Sequence, residues 1–322
     1  MDLYNIPGDT GGTWRYDKLL ELISSDVSSS MPVARTFLKR NKATKSEVVW
    51  WSFLYSTCYC IGTASLLYTL LDYRTVTKKE LEAFWETNKS RLIFQTDRKY
   101  VKIMNQFVDI VYGFIQRSNR KPWGYMKQLI KEDSLSTYQS FYKEIGSWRY
   151  YGRFSIILLI DTLNSLLKIP MDSPEYDWKS GSTTTSAIFH VLYEDDRANT
   201  FEDSGKITSQ EVQAFNALLG KLKEDLRKID PNSNWTTAAI SPELCEFRKL
   251  FKKTRYLGYY IDRKQEELNW LEQRWPEVEG VFQVLWEARK LNMPEEFLGE
   301  ISGWSGVQKD RMLSWVTKGE FR

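Results

Sequence analysis

The sequence predicts an all-α fold, a compact multi-helix domain with an aromatic-rich core, and three observations predict it. Apolar residues recur at three- and four-residue spacing along much of the chain, the period of a helix with one buried face. Several of these stretches open on capping residues. Aromatic side chains make up 15% of the 322 residues, which gives such helices large rings to bury.

In chain order, the helical spacing covers residues 16–24, 48–71, 79–87, 100–116, 154–167, 209–229, 242–251 and 262–275. Entry chemistry supports three of these. Thr77 stands three residues before Glu80, Ser46 precedes Glu47, and Ser241-Pro242-Glu243 reads as an N-cap, a first-turn proline and a first-turn acid. Breaks fall at 117–124 (RSNRKPWG), 169–185 and 230–237, where Pro, Gly and Asn accumulate. None is long or low in complexity, and no repeat is evident, so residues 1–322 read as one helical domain, with a subdivision near residue 170 as the alternative.

The stretch 48–71 runs 24 residues without a charge, long enough to span a bilayer. Nine of those residues are Ser, Thr or Tyr, and their hydroxyls would need partners within lipid. A buried helix away from any membrane is the expectation. Three cysteines are too few for a disulfide framework, and the start of the chain lacks a basic segment followed by an apolar one. A reducing, cytoplasmic compartment is the expectation.

Net charge is only +3, but it is unevenly spread. Residues 1–160 carry 23 Lys and Arg against 15 Asp and Glu, a balance of +8, and residues 161–322 carry 22 against 27, a balance of −5. A basic half suits a polyanion such as nucleic acid, although a solvated face produces the same count.

With His190 the lone histidine and no second cysteine pair beside Cys58 and Cys60, zinc sites and histidine triads are excluded. Neither a Walker A loop nor Gly-x-Gly-x-x-Gly occurs. Chemistry must therefore rest on carboxylates and cations. In Phe94-Gln95-Thr96-Asp97-Arg98-Lys99-Tyr100, a carboxylate adjoins two cations ahead of a helical stretch, an arrangement that serves either anion binding or plain helix capping. In Gly146-Ser147-Trp148-Arg149-Tyr150-Tyr151-Gly152-Arg153-Phe154, aromatics alternate with arginines, as base stacking and phosphate binding require, or as an aromatic staple at a helix entry would. The apolar stretch that follows carries Asp161 and Asn164; a carboxylate there is paired or held for proton transfer. Residues 179–185 offer hydroxyls around Gly181, and Glu194-Asp195-Asp196 would suit Mg2+ or a solvated turn. No cofactor is called for beyond an assisting Mg2+. Finally, residues 255–263 again join aromatics and arginines, with Asp262 as a helix N-cap.

Five segments, taken in order, resemble the phage amino acid:DNA transferases and the related α-glutamyl/putrescinyl-thymine pyrophosphorylases. They are residues 50–59 (WWSFLYSTCY), 84–92 (FWETNKSRL), 94–100 (FQTDRKY), 151–154 (YGRF) and 258–263 (GYYIDR). One departure stands out, because Thr184-Thr185-Ser186-Ala187 occupies the place of an Arg-Asn-Gly-like turn. The resemblance implies an enzyme that acts on 5-hydroxymethyluracil in DNA after its conversion to a pyrophosphate ester. An amine from an amino acid or polyamine then displaces pyrophosphate at the exocyclic methylene.

On that reading, Arg98, Lys99, Arg149 and Arg153 hold pyrophosphate, and Asp97 or Asp161 takes the proton of the incoming ammonium. Trp148, Tyr150 and Tyr151 form a stacking surface. Arg263 grips the donor carboxylate, with Tyr259 and Asp262 beside it at the substrate, and no metal ligand is assigned. DNA and a small amine donor are the partners, in a bacterial host cell if the gene is a phage's. Two rivals remain open: a non-catalytic helical DNA-binding protein, and a base-excising or pyrophosphate-removing enzyme.

Overall fold

A computed structural model describes residues 13–25, 30–95, 106–173, 209–231, 235–251 and 259–293. Among these residues there are 13 α-helices, two 3-10 turns and no strand, so the chain is all-α. We number the helices α1 (Thr13–Ser25), α2 (Met31–Arg40), α3 (Lys45–Cys58), α4 (Ile61–Leu70), α5 (Lys78–Asn88), α6 (Gln106–Arg117), α7 (Pro122–Lys127), α8 (Ser134–Gly146), α9 (Arg153–Leu167), α10 (Ser209–Ile229), α11 (Thr237–Phe251), α12 (Tyr259–Arg274) and α13 (Glu279–Asn292). No described helix is long and apolar enough to cross a membrane.

Backbone contacts divide the chain into two compact units, one holding residues 29–171 and 263–299 and the other holding 172–262 with both ends of the chain. In the first unit α3 is the central helix, buried along its length from Val49 to Cys58 and packed against α4, α7 and α9. Its aromatic rings form the core: Phe53 stacks on Phe114 at 4.1 Å, Trp50 on Phe53 at 5.7 Å and Trp51 on Tyr55 at 5.2 Å. Around it, α2 packs on α9 and α13, α4 on α13, α5 on α6 and α8 on α9.

Two of the hydroxyls that argued against a membrane span are satisfied within α3 itself. Ser52 donates to the Val48 carbonyl at 2.8 Å and Thr57 to the Phe53 carbonyl at 2.8 Å, the back-bonding open to a buried Ser or Thr. The indole N–H of Trp51 finds Ser65 Oγ at 3.1 Å, and that of Trp50 finds the Leu71 carbonyl at 3.2 Å.

The second unit has its own apolar core. Leu19, Leu22 and Ile23 of α1 are buried, as are Phe215, Leu219, Leu222 and Leu226 of α10 and Ile240, Leu244 and Phe247 of α11, and α1 packs on both partners. One carboxylate ties the chain together here. Asp172 accepts from Lys223 Nζ at 2.7 Å and from the Thr237 backbone N–H at 3.0 Å.

Several sequence expectations need correction. The stretch 48–71 is two helices, because the chain turns at Tyr59 and Cys60. The cap of α3 is Thr44, not Ser46: its hydroxyl accepts from Glu47 N–H while the Glu47 carboxylate accepts from Thr44 N–H, so the cap stands three residues before the acid. At Thr77 the predicted capping box with Glu80 is present. Helix α11 starts at Thr237, and Pro242 lies inside it instead of opening it. Likewise Asp262 lies inside α12, not ahead of it. The break at 117–124 ends in α7, with Pro122 at its first position, where a missing N–H costs nothing. The spacing argument passed over α2, α8 and α13.

Candidate functional site

The candidate site lies where α3 ends. Tyr59 caps the helix in the left-handed conformation, φ 54°, which costs a residue with a Cβ about 1–2 kcal/mol and turns the chain sharply into α4. Its N–H donates to the Tyr55 carbonyl at 2.6 Å. With the helix ended, the Cys58 carbonyl is left for another partner. That partner is the backbone N–H of Gln95, at 3.2 Å.

Gln95 closes a short extended stretch, Leu92 to Gln95, held from several sides. Thr63 of α4 both donates to the Ile93 carbonyl at 2.9 Å and accepts from the Ile93 N–H at 3.2 Å. Trp275 donates its indole N–H to the Arg91 carbonyl at 2.8 Å. The Arg91 guanidinium lies 3.8 Å from the Trp275 ring and pairs with Glu277. Phe94 meets Trp85 edge-on at 5.8 Å, and Trp85 stacks on Phe107 at 4.5 Å.

Beneath this stretch lies a buried carboxylate. Glu267 of α12 is 7% exposed and accepts from the side-chain amide of Gln95 and from Arg263 Nε at 3.1 Å. Burial raises its pKa above the usual glutamate value, an effect that hydrogen bonds from Arg263 and the Cys60 thiol oppose. Burial also pushes the Cys60 thiol well up, and the neighbouring Glu267 charge adds to the rise. Helix α12 reaches this position because α4 offers Gly62 to it; a Cβ there would stand 2.5 Å from Leu271 Cδ1 and 3.1 Å from Leu268 Cδ2.

On the α9 side, Phe154 meets Tyr59 edge-on at 5.3 Å and remains 42% exposed. Tyr151 shares a hydrogen bond with Ser56. Burial raises the Tyr55 phenol, a hydrogen bond with Ser30 opposes the rise, and the Asp161 charge adds to it.

The sequence candidates therefore divide. Arg153 opens α9, and Asp161, half-buried, sits two turns along it. Arg263 comes to the same end of α3 through Glu267 and Gln95. Trp148 and Tyr151 are core residues, 7% and 5% exposed, and their rings pack on Phe53 and on each other, which corrects the expectation of an open stacking surface. Tyr150, half-buried and left-handed at φ 65°, carries Arg149 over its ring at 4.6 Å, as a corner before α9. Asn164 serves structure, donating to the Met171 carbonyl at 2.9 Å.

Asp97, Arg98 and Lys99 lie outside the described residues, as do residues 179–185, His190 and the acidic run 194–196. The side chains of Tyr259 and Asp262 do too. Among the described residues no three His, Cys, Asp or Glu side chains cluster as a metal site would need. Sequence reasoning missed Gln95, Cys60 and Glu267. The signal for Glu267 was its place four residues before Leu271 and eight before Trp275, on the apolar stripe of α12.

Comparison with known proteins adds the identity. A profile of the amino acid:DNA transferase family matches residues 28–255, a span that contains the Tyr59 turn, Gln95, Arg153 and Asp161 and stops short of Arg263 and Glu267. A serinyltransferase of Salmonella phage ViI is 24% identical over 295 residues, covering 82% of this chain and 68% of that protein. With well over half its length matched by the family profile, the chain belongs to the amino acid:DNA transferase family.

Proposed function

We propose that this protein transfers the amine of an amino acid or polyamine onto pyrophosphorylated 5-hydroxymethyluracil in DNA, within an infected bacterial cell. The observation that carries the reading, beside family membership, is convergence. Segments far apart in sequence, around Tyr59, Gln95, Tyr151 to Phe154 and Arg263, meet at one end of α3.

The reaction requires a proton acceptor, a cation for the leaving group and a hold on the donor. The donor ammonium first gives a proton to a carboxylate, either Asp161 or Asp97. The free amine then attacks the exocyclic methylene carbon. A C–N bond forms as the C–O bond to pyrophosphate breaks, and pyrophosphate leaves with the bonding pair. Arg153, at the start of α9, neutralises that charge, with Arg149, Arg98 and Lys99 as further cations. Arg263 holds the donor carboxylate, since a guanidinium matches a carboxylate in two parallel hydrogen bonds. Burial of Trp148 and Tyr151 leaves base stacking to Tyr150 and to Phe154, an exposed ring at the convergent end.

Incubating the purified chain with DNA containing pyrophosphorylated 5-hydroxymethyluracil, amino acids and polyamines, followed by nucleoside mass analysis, tests the reading. A mass gain of one donor with loss of pyrophosphate supports it and names the amine. Unchanged bases in DNA that the protein still binds would replace it with the non-catalytic DNA-binding reading, and release of free base or pyrophosphate without an amine would replace it with the excision reading.

A further inference from the structure

Among the described residues, Glu267 is a buried carboxylate joined by hydrogen bonds to two separate segments of the chain. A buried acid is costly unless it is paired and hydrogen-bonded, and Glu267 spends one oxygen on two partners that come from different parts of the chain. Gln95 ends the stretch leading into Asp97-Arg98-Lys99, and Arg263 lies one helical turn before Glu267 on α12. The Cys60 thiol, at the start of α4, is a third group whose ionisation the same carboxylate opposes.

A surface Arg–Glu pair on one helix holds neither partner firmly. Here the acid is anchored, and Arg263 keeps only 25% of its side-chain surface exposed. A planar guanidinium held at Nε presents its two terminal nitrogens along a set direction. Their edge is the one that binds a carboxylate bidentately.

We propose that Glu267 is a positioning residue: it orients Arg263 toward the donor's carboxylate and locks Gln95, and with it the 92–95 stretch, against the same guanidinium. The inference rests on the transferase reading and deepens it by placing the donor-carboxylate subsite at the Cys60–Gln95–Arg263–Glu267 cluster. Glu267 touches no reacting atom in this account.

The test uses the full chain with Glu267→Gln, Glu267→Asp, Arg263→Ala and the double variant Glu267→Gln/Arg263→Ala. Initial rates are measured on pyrophosphorylated DNA against glycine, L-serine, L-glutamate and putrescine, and binding of the same four compounds is followed calorimetrically without DNA. Glutamine keeps a carbonyl for Gln95 and loses the charge that orients Arg263. The expected result is a rise of about tenfold in KM for the amino acids with kcat changed far less. Putrescine, which has no carboxylate, is unaffected, and the double variant is no worse than Arg263→Ala alone. Aspartate, too short by one methylene, restores little.

An unchanged amino-acid KM and affinity in Glu267→Gln would overturn the proposal. So would equal losses for putrescine and the amino acids with a lowered melting temperature, the pattern of a structural role. If the wild-type chain yields no adduct, the transferase reading fails separately, and calorimetry still decides the inference: amino-acid binding weakened by Glu267→Gln sustains it, and binding that is absent from wild type or equal in both overturns it.

Discussion

The two ends of α3 are built differently, and the contrast separates structure from site. At its N-terminal end the polar contacts are exposed or half-buried and join residues three to 47 positions apart. Thr44 and Glu47 cap each other, Arg74 pairs with Glu47 at 2.7 Å and with Asp72 at 3.3 Å, and Arg120 closes on the carbonyls of Tyr73 and Val76. At its C-terminal end the contacts are half-buried, cross from 30 to 172 positions along the chain, include the buried carboxylate of Glu267 and surround a tyrosine in a strained conformation. Caps and surface pairs finish a helix. A buried carboxylate joined to a strained turn by distant segments is what a folded chain retains where it needs fixed geometry.

Breaking α3 itself should destroy both ends. Trp51→Ala removes a fully buried ring and its hydrogen bond to Ser65, and about 3–5 kcal/mol of stability should go, read as a large fall in the denaturation midpoint. Tyr59→Gly separates the ends. Relief of the left-handed strain offsets the lost ring contacts, so stability should move by under about 1 kcal/mol, whereas transfer activity should fall about tenfold or more. Equal activity would show that the turn is structural only.

At the other end, Thr44→Ala and Thr77→Ala should each cost about 1 kcal/mol and leave the rate per folded molecule unchanged. Arg74→Ala should cost less, within about 0.5 kcal/mol, since Arg74 itself is about half exposed and its pairs are salt-screened.

A smaller effect reads the buried acid by pH. A carboxyl whose folded pKa is raised favours the folded state while protonated, and that contribution fades as pH rises through the raised value. Arg263, Lys264 and Cys60 are the charged or titrating groups acting on Glu267. The melting temperature of wild type minus that of Glu267→Gln should therefore fall as pH is raised above 4.5, the ordinary glutamate value.

Much of this contrast was legible in the sequence. The 3.6-residue periodicity located most of the helices, and the Thr77–Glu80 spacing named its cap. Helices α2 and α8 escaped because one is only 10 residues long and the other, SLSTYQSFYKEIG, is rich in weak helix formers, so tertiary packing stabilises them more than propensity does. The turn at Tyr59 and Cys60 contains neither Gly nor Pro and left no mark; packing against α12 and the 92–95 stretch imposes it. Trp148 and Tyr151 read as a stacking surface because alternation of aromatics and arginines looks alike whether the rings face a ligand or a core. Glu267 was hidden among the charges of RKQEELNW, where two acids stand among five consecutive polar residues and only the helical spacing to Leu271 distinguishes the buried one.

The most direct test compares one variant from each end in the nucleoside mass assay: Glu267→Gln and Thr44→Ala, each confirmed folded by its melting curve. The account predicts that Thr44→Ala makes adduct at the wild-type rate per folded molecule and that Glu267→Gln, at amino-acid concentrations below the wild-type KM, makes about a tenth of it. Equal rates in the two variants, or a greater loss in Thr44→Ala, would contradict the placement of the site at the C-terminal end of α3.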